Sequence, residues 1–123
     1  MKYLILIHSN PRSRALWETM DDDQRYALGK GHLELTEALA ESGELVVSEG
    51  LADVELARTV SVRGGETLTS DGPFAEAKEH LAGFYLVDVE SYERAVEIAA
   101  RTPDAATGAV EVRPVLDMSA WDL

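Results

Sequence analysis

The hydrophobic period of this chain switches repeatedly between that of a strand and that of a helix, and no other feature restricts its fold as much. Tyr3-Leu4-Ile5-Leu6-Ile7 is a continuous apolar run closed by His8-Ser9-Asn10-Pro11, which suits a strand covered on at least one face. From about Asp21 to Ser42 the pattern becomes helical. At ~100° per residue, Leu28, Leu35 and Leu39 share one stripe, with Arg25, Glu34, Glu37 and Glu41 at its margins or off it. Asp21, Asp22 and Asp23 stand where acidic side chains cap a helix and favour its positive end, and Gly43 is a natural stop.

The second half repeats the alternation. Leu45-Val46-Val47 reads as a strand, and Val60 and Val62 alternate with Thr59, Ser61 and Arg63. Gly64-Gly65 before Glu66-Thr67-Leu68-Thr69 is a two-residue hairpin signal. Asp71-Gly72-Pro73 breaks the pattern with a turn, and Pro73 can open one or two helical turns through Ala75, Glu76, Ala77 and Lys78. Phe84 to Val89 is the next strand. Tyr92, Ala95, Val96, Ala99 and Ala100 then recur at helical spacing up to Pro103, and Ala109 to Val115 is the last strand. A short tail with Met118 and Trp121 follows.

The order is β-α-β-hairpin-β-α-β. Two helices crossing one face of an antiparallel sheet is an α+β, ferredoxin-like β-α-β-β-α-β arrangement, here with an extra hairpin. The sheet's second face needs cover, and the chain offers no third long helix for it; pairing two sheets in a homodimer would supply it. With 123 residues, 46% of them hydrophobic, and no Pro/Gly/Ser linker, residues 1–123 read as one domain.

Charge removes whole classes of partner. Eleven basic against 23 acidic residues give a net charge of -12, which repels phosphate backbones and anionic headgroups, so neither nucleic acid nor membrane is expected. Without cysteine there is no disulfide framework, thiolate nucleophile or Cys-ligated metal. The apolar run near the start is too short for a signal peptide or a membrane span, which makes the cytoplasm the expected compartment.

Of the histidines at 8, 32 and 80, His32 is the most informative. It projects from the apolar stripe of the long helix, four residues after Leu28. Gly29 and Gly31 flank it at roughly 1 kcal/mol each against alanine in helix propensity. Small residues there would leave room beside the imidazole, either for a pocket or for nothing more than a half-buried histidine bonded to a neighbouring strand. His8, at the end of the first strand, can point into the mouth of the same sheet; His80, beside Glu79, reads as solvated.

Ser70-Asp71-Gly72-Pro73-Phe74 is the second place of interest. Asp71 either accepts backbone N–H bonds from its own turn or faces His32 and holds its tautomer. Nucleotide-binding glycine loops, GxSxG, and HxxxH or HExxH pairs are absent, and Asp21-Asp22-Asp23 lacks the glycine and distal glutamate of a calcium loop. Neither a metal nor a cofactor is expected.

Asp71-Gly72-Pro73-Phe74-Ala75-Glu76-Ala77-Lys78-Glu79, followed by Leu81-Ala82-Gly83-Phe84-Tyr85-Leu86-Val87-Asp88-Val89, closely resembles the signature of the DGPF proteins within the YCII-related (YciI-like) family. Ser48-Glu49-Gly50-Leu51, Arg63-Gly64-Gly65, Arg101-Thr102-Pro103 and Val110 to Val115 extend the resemblance over nearly the whole chain. It implies a bacterial protein forming a dimeric α+β barrel. YCII-like sequences include a dehydrochlorinase acting on a chlorinated aromatic, and muconolactone isomerases look similar in fold. In the YciI-type branch a His–Asp pair is the proposed active site, and His32 matches the placement of its histidine. The aspartate is expected just before a proline at the end of the second helix, where this chain has Thr102 before Pro103; either Asp71 or Asp104 takes its place.

Two functions follow as expectations. One is a cofactor-independent small-molecule enzyme of lyase, isomerase or dehalogenase type. His32 would move a proton, Asp71 or Asp104 would orient it, and substrate would be held by His8, Ser70, Gly72 and Phe74. The other is a non-enzymatic binding or regulatory module tied to an extracytoplasmic-function sigma factor, since DGPF proteins are often encoded beside one; its Trp121 tail and acidic surface could serve a basic partner.

Overall fold

The computed structural model describes residues 1–74, 78–107 and 109–121. Strand β1 (Lys2–Ser9) alternates as a half-covered strand should: Tyr3, Ile5 and Ile7 are buried, while Leu4 and Leu6 on the other face are partly exposed. Asn10 and Ser13 form a reciprocal cap around Pro11 and start helix α1 (Pro11–Thr19), an element the hydrophobic pattern did not announce because none of its side chains is buried. Asp21 and Gln24 cap helix α2 (Asp22–Ser42) in the same way, and Gly43 closes it in the left-handed conformation at φ 83°. Leu35 and Leu39 are its buried contacts.

Strand β2 (Leu45–Gly50) leads through a 3-10 turn over Val54–Leu56 to the hairpin of β3 (Arg58–Arg63) and β4 (Glu66–Asp71). Gly64 and Gly65, at φ 57° and 82°, supply the positive φ pair that a tight hairpin turn requires. Strand β5 (His80–Asp88) starts four residues before the apolar run Phe84–Val89. The early part is hidden in the sequence because Gly83 interrupts it. A Cβ there would lie 2.9 Å from the Glu49 carbonyl oxygen, so glycine lets β2 approach. His80 pairs with Ser9 and is half-buried, not solvated. Helix α3 (Tyr92–Ala100), a 3-10 turn over Pro103–Thr107, strand β6 (Val110–Pro114) and a last 3-10 turn over Met118–Trp121 complete the order. Of the helical turns expected after Pro73, Ala75, Glu76 and Ala77 lie outside the described residues.

The main sheet runs β2-β5-β1-β6 with every pair antiparallel, and β3-β4 forms a separate two-stranded sheet. This is the ferredoxin-like α+β arrangement with an inserted hairpin. Tyr3, Ile5, Tyr85 and Val87 from one sheet face pack with Leu35 and Leu39 of α2 and Ala95, Ile98 and Ala99 of α3 into one core. The opposite face carries Leu4 against Leu86 and Leu6 against Phe84, with Val47 beside them; none belongs to that core. No helix among the described residues is long and apolar enough to cross a membrane.

Candidate functional site

The chemistry-bearing side chains gather where α2 crosses the sheet. Thr102, the one buried polar residue among the described residues, donates its hydroxyl to the Ala99 carbonyl at 2.8 Å and tucks the chain under as α3 ends. The Pro103–Thr107 turn then rests on α2 at Gly31, where a Cβ would lie 2.8 Å from Pro103 Cγ. The room left by Gly31 is therefore filled by proline, not by a pocket. This close approach carries Asp104 to His32: Asp104 Oδ2 lies 2.5 Å from His32 Nε2.

The other ring nitrogen, Nδ1, lies 2.6 Å from the hydroxyl of Tyr85, which rises from the core face of β5. The two rings stack with centroids 5.9 Å apart. Tyr85 is 3% exposed. Burial pushes its phenol above the ordinary value and the Asp104 charge pushes the same way, while a hydrogen bond from Thr36 opposes them, so the hydroxyl keeps its proton at neutral pH. His32 and Asp104 keep 27% and 22% of their side chains exposed, enough to be reached from solvent.

A cavity of about 400 Å³ opens onto all three groups, walled by Ile7 and Leu28 and by the hydroxyls of Thr36 and Ser48, which lie 3.5 Å apart. A second cavity, of about 530 Å³, shares Leu28, Ala82 and Asp104 with the first and adds His8, Ser13 and Trp17. Asp104 thus faces both.

His8 lies at a bulge of β1, with Nε2 3.1 Å from Glu111 and Nδ1 buried without a partner among the described residues. It lines the second cavity and, among the described residues, is not hydrogen-bonded to His32. The segment around Asp71 is elsewhere. Asp71 ends β4 with 95% of its side chain exposed and faces Arg58 at 3.6 Å. Ser70 is exposed on the hairpin. Gly72 donates its N–H to the Ala57 carbonyl at 2.7 Å. Phe74, 73% exposed, borders a third cavity with Leu51 and Leu81. None of these four residues lines either of the cavities that Asp104 borders. In the structure the hairpin carries Asp71 away from His32, and the turn after α3 brings Asp104 to it. Among the described residues, no group of three His, Asp or Glu side chains converges as metal ligands would.

Tyr85 is the member that sequence reasoning missed. Alternation along Phe84–Val89 places it on the covered face with Val87, and a buried tyrosine needs a partner for its hydroxyl, so the signal was present. That the partner would be His32, 53 residues away, was not readable.

Residues 1–119 match the YCII-related domain. The chain is 32% identical over 117 residues to the uncharacterized protein R00369 of Rhizobium meliloti (strain 1021), covering 94% of this chain and 92% of that one. The chain belongs to the YCII-related family.

Proposed function

We propose that this YCII-related protein is a cofactor-independent enzyme that moves a proton on a small organic molecule, as an isomerase, a lyase or a dehalogenase does. The observation that carries the reading is the hydrogen-bonded chain Tyr85–His32–Asp104 at the wall of a cavity. A carboxylate and an imidazole held in contact, each partly open to a cavity, have the geometry that acid/base catalysis needs.

The lining also narrows the substrate. Among the described residues bordering the 400 Å³ cavity there is no lysine or arginine, so a phosphate or polyanion would find no counter-charge. Apolar walls with two hydroxyls suit a small uncharged molecule bearing a carbonyl or hydroxyl oxygen. The reading takes the protein as a homodimer, because Leu4, Leu6, Phe84, Leu86 and Val47 give the second sheet face an apolar centre that a second copy would cover.

The test is conversion of cyclohex-3-enone to cyclohex-2-enone, a pure proton shift, followed by NMR in deuterated water. The wild-type protein accelerates the shift, and both His32→Ala and Asp104→Asn lose activity, by about 10²–10⁴-fold where the base itself is removed. A wild-type rate no faster than buffer, or full activity in both variants, overturns the reading.

A further inference from the structure

Which member of the chain exchanges the proton can be argued from hydrogen-bond geometry, resting on the acid/base reading above. The Tyr85 hydroxyl has one proton, and with Thr36 donating to it, the acceptors it meets among the described residues both belong to His32: Nδ1 at 2.6 Å and the backbone carbonyl at 3.4 Å. The shorter contact takes the proton, so Nδ1 accepts and carries none in the neutral ring. On the other side, Nε2 meets the Asp104 carboxylate oxygen Oδ2 at 2.5 Å. Two lone pairs cannot face each other at that distance, and imidazole is ordinarily a stronger base than a carboxylate, so the shared hydrogen sits on Nε2, which donates it. Both constraints select the same tautomer.

In that state His32 has no lone pair to offer: one nitrogen donates to Asp104 and the other is capped by Tyr85. Asp104 is differently placed. Its Oδ2 is occupied by His32, its backbone carbonyl accepts from the Thr107 hydroxyl, and Oδ1 has no hydrogen-bond partner among the described residues. The residue borders both cavities.

We propose that Asp104 is the catalytic base and that His32 and Tyr85 are positioning residues, Tyr85 capping Nδ1 and His32 aiming and stabilising the carboxylate through its Nε2 hydrogen. The proton leaves a carbon of the bound molecule for Asp104 Oδ1, the electron pair stays on the substrate, and the same carboxyl group returns the proton at a second atom or to water. The neutral imidazole gains and loses no proton in the cycle. Thr36, beside Tyr85 in the cavity wall, adds a hydroxyl but no charge.

The test is nitrogen-15 NMR of the histidine side chains in the full-length protein, at a pH above the last change of the His32 signals. The expected spectrum of His32 has a protonated Nε2 and an unprotonated, hydrogen-bonded Nδ1. In Tyr85→Phe the Nδ1 resonance alone moves, to the position of an unprotonated nitrogen with no donor. A hydrogen on Nδ1 in the wild type overturns the assignment, and so does an Nδ1 signal that Tyr85→Phe leaves in place, since a merely packing tyrosine would not move it. Neither result touches the acid/base reading, which stands or falls on turnover by the His32 and Asp104 variants.

Discussion

Gly31 of the long helix and Pro103 of the turn after the second core helix meet so closely that a β-carbon on Gly31 would lie 2.8 Å from the proline ring. This contact sets how near Asp104 can come to His32, one residue along on each side. Gly29 has nothing within 4 Å of the same position. The two glycines therefore respond oppositely to alanine. Gly29→Ala gains helix propensity and stabilises the fold by up to about 1 kcal/mol. In Gly31→Ala the same gain is offset by displacement of a rigid proline ring, so thermal unfolding shifts little or downward. Turnover drops as Asp104 moves away. Paired thermal melts of the two variants check this; equal stabilisation would show that the contact is slack.

The site was legible in part. Capping residues, the glycine stop after Ser42 and the two hydrophobic periods outline both core helices and the sheet strands. His32 stands out because a histidine on an apolar stripe needs a reason. The choice between Asp71 and Asp104 was not readable, because it depends on where a hairpin and a turn, far apart in sequence, send their carboxylates. The helix Pro11–Thr19 escaped because its signal is a cap, Asn10 with Pro11, and not an apolar face. The role of Gly31 was misread as open space, since no sequence pattern tells that a proline 72 positions on will occupy it.

Glu44, just past the end of the long helix, takes two 2.8 Å bonds from Arg94 of the other helix. The guanidinium holds its carboxyl at about 2, against an ordinary 4.5, with the Ser42 hydroxyl adding to the effect and burial opposing it. A depressed carboxylate stabilises the fold fully above the unfolded value and loses that contribution as pH falls. The melting temperature of Glu44→Gln should thus lie below that of wild type at neutral pH, by a few degrees. The gap should narrow from pH 4.5 downward and close towards about 2. Melting curves across that range decide it; a gap independent of pH would mean that the ion pair contributes nothing.

Leu4 stands between Leu86 on one neighbouring strand and Arg113 on the other, on the sheet face outside the core. Leu4→Glu places a charge at the centre of that face while Arg113 offers it a partner, so the subunit still folds. Sedimentation velocity should find the wild type as a dimer and Leu4→Glu as a monomer. A wild type that stays monomeric at every accessible concentration contradicts the homodimer.

Leu39 and Ile98 are 1% and 0% exposed at the contact of the two core helices with the sheet. Leu39→Ala should cost about 2–5 kcal/mol in denaturant unfolding, the range for large-to-small changes in a packed core. A loss below about 1 kcal/mol would mean that the helix is less tightly seated on the sheet than the burial indicates.

The central claim is that Asp104 takes a proton from carbon with His32 behind it. Its most direct measurement is the ring opening of 5-nitrobenzisoxazole, in which loss of one carbon-bound proton breaks the N–O bond and releases a coloured phenolate. Asp104→Asn should lose the protein-dependent rate by about 10²–10⁴-fold. His32→Gln, whose side-chain amide can still donate to Asp104, should keep most of it. Loss of the rate in His32→Gln with Asp104→Asn unimpaired would contradict the account.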